Sequence, residues 1–102
     1  MLYLPMSGGN VVFQLNLTPV TGVVIILNMQ SMAVAGQITV QAATNPGASF
    51  PTTIGSFTPS VGQYGIQAFF IPSTNLQTGN NWITVKNTGG TNVYLQKATF
   101  AW

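Results

Sequence analysis

Apolar and polar residues alternate with a period of two along most of the chain, and a helical period is sustained nowhere. Val11, Phe13, Leu15 and Leu17 fall on one face of a segment whose other face carries Gln14 and Asn16. Residues 37–42 repeat the pattern with Ile38, Val40 and Ala42 together. In residues 82–86, Ile83 and Val85 are expected inward, with Trp82, Thr84 and Lys86 outward. Residues 22–29 are almost continuously apolar, which fits a strand covered on both faces or a short buried helix. The β-branched Val23, Val24, Ile25 and Ile26 favour the strand. Residues 64–71 form a further run, stopped by Pro72. Residues 92–102 have a mixed pattern that predicts a bulge near Lys97.

Between the third and fourth runs lie residues 44–63, punctuated by Pro46, Gly47, Pro51, Gly55, Pro59 and Gly62. A structureless loop of that length is uncommon in a compact domain, so a short strand is expected around residues 53–57. Asn87, Thr88, Gly89, Gly90 and Thr91 read as the turn joining the last two strands. Six to eight short strands at these spacings predict an all-β, antiparallel β-sandwich. No internal repeat or linker divides residues 1–102, so one domain is expected, with residues 1–9 available as an extended arm.

Composition narrows the function more than it names one. Lys86 and Lys97 are the only charged side chains; the chain has no Asp, Glu, Arg, His or Cys. General acid–base chemistry draws on His, carboxylates, Lys, Tyr or Cys, and a Ser or Thr nucleophile needs a base beside it. Carboxylate pairs are absent, as are the usual ligands of zinc, iron and copper. No enzyme activity, metal or cofactor is therefore expected. The sequence pI of about 9.4 reflects a net charge of only +2. Two lysines give a salt slope of about −1.8, far below that of DNA-binding proteins, so no nucleic-acid partner is expected. The most apolar stretch, residues 20–35, is interrupted by Thr21, Asn28, Gln30 and Ser31 and is too short to span a bilayer, so no membrane partner is expected. The start, Met1-Leu2-Tyr3-Leu4-Pro5, lacks a basic n-region and a long apolar core, which predicts synthesis in a cytoplasm without a secretory signal.

Uncharged polarity replaces charge. The 36 Asn, Gln, Ser and Thr residues stand beside a 46% hydrophobic fraction, a folding composition rather than a disordered one. Near-zero charge also gives weak self-repulsion, which favours attachment to a partner or to further copies of the chain.

Gly79-Asn80-Asn81-Trp82-Ile83-Thr84-Val85-Lys86-Asn87, then Gly89-Gly90-Thr91-Asn92-Val93-Tyr94-Leu95-Gln96, resembles the closing hairpin of jelly-roll carbohydrate-binding modules. Gln96 stands where those modules usually carry Asp, and the N-terminal half has none of their acidic calcium-site residues. Small jelly rolls of this kind are also similar to the cement or decoration proteins on capsids of tailed bacteriophages. The resemblance implies a jelly-roll sandwich and two functions of different class. In the first, the chain is a non-enzymatic virion subunit on the capsid surface. It binds the major capsid protein as a homo-oligomer, a trimer or dimer, and stabilises contacts between shell subunits. In the second, it is a carbohydrate-binding or lectin-like domain that recognises a glycan through aromatic and amide side chains.

Each reading has its residues. For partner binding they are Leu2, Tyr3 and Leu4 in the apolar arm, Phe50 and Phe57 in the Pro/Gly-rich segment, and Trp102. The arm could equally be an edge strand, a loop phenylalanine could tuck over the sandwich, and Trp102 could clip the last strand. For a glycan, Trp82 would stack, with Asn92, Tyr94 and Gln96 around it. An outward Trp can also pack under a loop. Tyr94 and Phe100 are expected on one face, in the core.

Overall fold

The computed structural model describes residues 2–19, 21–34, 36–45 and 51–102. Eight strands follow in order: β1 (Leu2–Leu4), β2 (Asn10–Leu17), β3 (Gly22–Ser31), β4 (Ile38–Ala43), β5 (Thr52–Phe57), β6 (Gly65–Pro72), β7 (Gly79–Asn87) and β8 (Val93–Ala101). A short 3-10 turn over Ser73–Asn75 links β6 to β7. Two antiparallel four-stranded sheets pack as a sandwich, ordered β1-β8-β3-β6 (sheet A) and β2-β7-β4-β5 (sheet B). The pairing is nested: β1 with β8, β2 with β7, β3 with β6, and β4 with β5.

The all-β sandwich expected from the alternation is therefore present, and the strand read inside residues 44–63 is β5. The period-two pattern sets the core. Ile38, Val40 and Ala42 of β4 and Ile83 and Val85 of β7 point inward from sheet B, opposite Val23, Ile25, Leu27 and Met29 of β3. The apolar run of β3 is a strand, as its β-branched residues favour. Among the described residues no further layer covers its second face: Val24 and Ile26 are half-buried beside the flanking β6 and β8.

The bulge expected near Lys97 is at Gln96, which has no partner between the pairs Met29–Leu95 and Asn28–Lys97. An extra residue reverses the parity of everything after it. Val93 and Leu95 are buried before it, and Ala98 and Phe100 pack against the core after it. Tyr94 and Phe100 are thus on opposite faces, which corrects the expectation that both are core. Phe100 meets Phe13 edge-on at 5.2 Å, while Tyr94 lies outside against Tyr3 at 5.3 Å.

The N-terminal segment is an edge strand. Leu2, Tyr3 and Leu4 pair with Leu95, Tyr94 and Val93. A tight return follows, in which the Ser7 amide donates to the Gly89 carbonyl (3.0 Å), that of Gly8 to Asn87 (2.8 Å) and that of Gly9 to Pro5 (3.1 Å).

No side-chain carboxylate exists to pair with either lysine, and the chain has no imidazole or thiol. Stability changes with pH only as far as folded and unfolded states bind different numbers of protons. The side chains that ordinarily titrate between about pH 4 and 9 are absent, so side chains contribute almost nothing to that difference and give the slope neither sign. The thermal midpoint is expected to move by less than about 3 °C between pH 5 and pH 9, measured by circular dichroism; a larger shift would contradict this reading.

Candidate functional site

The two outer faces of the sandwich differ in chemistry. On sheet A, register places Ala101, Val24 and Phe70 in one cross-strand row and Thr99, Ile26 and Ala68 in the next. Lys97, Asn28 and Ile66 form the third row, and Tyr3, Tyr94 and Gln30 the polar end. Ile66 is 73% exposed, Phe70 58%, and Trp102, directly after β8, 62%. The half of this face around Val24, Ile26, Ala68 and Phe70 carries no charge and Thr99 as its one polar side chain. Scattered exposed apolar residues are ordinary, but a contiguous patch marks an interaction surface.

Sheet B presents amides and hydroxyls. Trp82 is half-buried at its centre, directly between Gln14 on β2 and Ala43 on β4. Thr84 lies between Val12 and Gln41, and Lys86 between Asn10 and Thr39. The Asn16 amide donates to Asn80 Oδ1 at 3.0 Å. Trp82 is thus outward, as its alternation predicts.

The residues singled out from sequence do not form one site. Leu4 is 1% exposed and lies in the core, so it is unavailable to a partner; only its neighbours Leu2 and Tyr3 reach the surface. Phe57 belongs to β5, not a loop, and its ring packs on Phe69 at 5.6 Å and against the core. Trp102 is exposed as a partner contact requires. Phe50 lies outside the described residues. Of the glycan set, Trp82 is on sheet B, whereas Tyr94 and Gln96 belong to sheet A and Asn92 to the turn before β8. Asn92 Oδ1 accepts from the Met6 amide at 3.1 Å, and Gln96 Oε1 from the Asn28 amide group at 2.8 Å. These two side chains hold the fold locally, and the four cannot converge on one ligand.

The segment that carries the carbohydrate-module resemblance is also turn chemistry. Gly79 has φ of 99°, and buried Asn81 accepts from the Gln77 amide (2.9 Å) while donating to the carbonyls of Gln77 (2.9 Å) and Gly79 (3.1 Å). The surface that sequence reasoning missed is the apolar patch of sheet A. Its signal was the run at residues 64–71, where Ile66, Ala68 and Phe70 occupy one parity and Phe69 and Ile71 the other. A strand apolar on both faces needs cover on both.

No protein-family model matches the chain, and no curated protein matches it either. Among the described residues, no helix is long and apolar enough to cross a membrane.

Proposed function

We propose that this chain is a non-enzymatic structural subunit of a virus particle, a small cement or decoration protein of the outer capsid surface, seated through the apolar half of sheet A. The observation that carries the reading is that contiguous surface, with Ile66 and Phe70 more than half exposed on a chain with two charges. The nested pairing of strands supports a jelly-roll winding, an architecture shared by viral capsid and lectin domains. The mechanism is passive. Apolar side chains that face water in the free subunit are buried on the shell, and a subunit that binds only the assembled state stabilises it by mass action. Few charges make attachment insensitive to salt.

The test has two parts. Mass spectrometry of density-purified particles should find the chain at a copy number comparable to the main shell protein. In reconstitution, the double variant Ile66→Lys/Phe70→Lys should bind stripped particles at least 100-fold more weakly. Each large apolar side chain contributes roughly 1.5–3 kcal/mol on burial, so two together give that factor. Both residues are solvent-exposed, so the variant should keep the wild-type circular dichroism spectrum. A chain absent from particles, or a variant that binds like wild type, overturns the proposal. The glycan reading would then start from Trp82 with Gln14, Gln41 and Thr84 on sheet B.

A further inference from the structure

Of the three tyrosines in the chain, two meet across adjacent strands at the polar end of sheet A. Tyr3 of β1 and Tyr94 of β8 are directly opposed in the register, between the pairs Leu2–Leu95 and Leu4–Val93. Alternation turns both outward. Leu4 beside Tyr3 is in the core, and so are Val93 and Leu95 on either side of Tyr94. The bulge at Gln96 comes after this pair and leaves its register intact. The ring centroids lie 5.3 Å apart with the planes tilted by 48°, a contact distance for aromatic side chains. Tyr3 is 47% exposed and Tyr94 half-buried, so an oxidant in solution reaches the pair. Tyr64 lies just before β6, two strand spacings or roughly 10 Å from β8. The chain has no cysteine, so no thiol competes for the oxidant and no disulfide is available as a staple. β1 is the element with least to hold it: three residues and, among the described residues, one neighbouring strand.

We propose that Tyr3 and Tyr94 form an oxidative cross-linking site, at which β1 is joined to β8 through a carbon–carbon bond between the two phenol rings. The oxidant is hydrogen peroxide activated by a haem peroxidase. Each phenol gives up one electron and its hydroxyl proton, and the two phenoxyl radicals couple at ring carbons adjacent to the C–O carbons. Each coupled ring then releases the proton from its bonding carbon and regains one on oxygen, which restores both phenols. Two C–H bonds are lost and one C–C bond forms, while one peroxide takes up the two electrons and two protons and becomes two waters. Directly opposed residues have Cβ atoms about 4.5–5.5 Å apart, so the two radicals meet within one chain before either meets a second chain. The link closes a loop of some ninety residues and removes that freedom from the unfolded chain, the way a long-span cross-link stabilises. It does not depend on what the apolar half of sheet A binds.

The test treats the full chain, dilute, with a haem peroxidase and one equivalent of hydrogen peroxide. The product should stay monomeric on a denaturing gel and show the blue fluorescence of a biphenol. Trypsin has only Lys86 and Lys97 to cut at, so it leaves Tyr3 in fragment 1–86 and Tyr94 in fragment 87–97. After coupling, these two fragments should remain joined, at their summed mass less two hydrogens. Tyr3→Phe and Tyr94→Phe should each abolish the joined fragment, and Tyr64→Phe should leave it in place. Each variant keeps the ring and loses one hydroxyl, so the circular dichroism spectrum should be that of wild type. The linked chain should melt at least about 10 °C above the untreated one. The Ile66→Lys/Phe70→Lys variant should cross-link as wild type does, so loss of particle binding and loss of coupling are separable results. No joined fragment, a joined fragment that survives Tyr3→Phe, or product found only as a covalent dimer overturns the proposal. A linked chain that melts with the untreated one overturns its role as a staple.

Discussion

Asn87→Leu is expected to lower the unfolding free energy by about 3 kcal/mol and the thermal midpoint on the order of 15 °C. Asn87 ends β7 with its side chain inward and fully buried. Its amide group donates to the Leu4 carbonyl (2.9 Å) and the Thr91 carbonyl (2.8 Å), and its Oδ1 accepts from the Gly89 amide (3.0 Å). Its main chain is also held, donating to the Gly9 carbonyl (2.7 Å) and accepting from the Gly8 amide. One residue therefore joins β1, the β1–β2 return and the turn before β8. Leucine has a similar shape but leaves three backbone groups without their partner, and each such buried group costs about 1–3 kcal/mol. The extra apolar burial offsets part of that. Asn87→Asp keeps the shape and points acceptors at two carbonyls, so it should cost at least as much at neutral pH. Urea titration of both variants measures this, and a loss under 1 kcal/mol for both would contradict the role assigned to the side chain.

Gly9→Ala is expected to detach β1, at a cost of roughly 3 kcal/mol. A Cβ at Gly9 would collide with Pro5 Cδ and stand 2.5 Å from Pro5 N and O, atoms of a ring and a backbone that cannot rotate away. The return must open, breaking the Gly9–Pro5 hydrogen bond and drawing Leu4 out of the core. Exposing one leucine costs about 1.5–3 kcal/mol, and each lost hydrogen bond adds about 0.5–1.5 kcal/mol. The requirement is spatial. Gly8 next to it needs its glycine for a φ of 127° and faces open space. Hydrogen exchange should become fast at those amides of Val93–Leu95 that face β1, while those bonded to β3 and the β2–β7 ladder stay protected. Unchanged protection at those residues would show that the return tolerates a side chain.

Alternation made most strands legible because each sheet is buried on one face, so inward residues repeat every second position. The bulge was legible as well, from the broken pattern before Lys97. The broken pattern does not by itself show that Phe100 and Tyr94 part, which happens because one unpaired residue moves all that follow it to the other face. A three-residue strand is too short to show a period, so nothing local in the sequence marks Leu4 as core; it is buried because β1, paired to β8, turns it into the cluster between the sheets. β5 was blurred by Gly55 and by Ile54, which has no partner between the pairs of Val40 and Gln41. Asn92 and Gln96 looked like ligand groups because the amides that fix turns and bulges are those that grip sugars. Which sheet each strand joins depends on pairings across most of the chain, and no local pattern carries that information. The apolar half of sheet A shared this fate, for Val24 and Phe70 are neighbours only once β3 and β6 pair.

The position of β8 has a consequence for how the chain comes off the ribosome. β8 follows every other strand in sequence but lies between β1 and β3, inside sheet A. Among the described residues β1 has no other neighbour, and β3 has only β6 until β8 arrives. At about 5–20 residues per second, β3 waits several seconds with one side unpaired and its core residues uncovered. Closing the outermost pair also joins segments some ninety residues apart, an entropic cost that falls on the last step and makes such topologies slow to fold. Sheet A is therefore completed after β8 is made, and the nascent chain is most prone to misassociate in that interval.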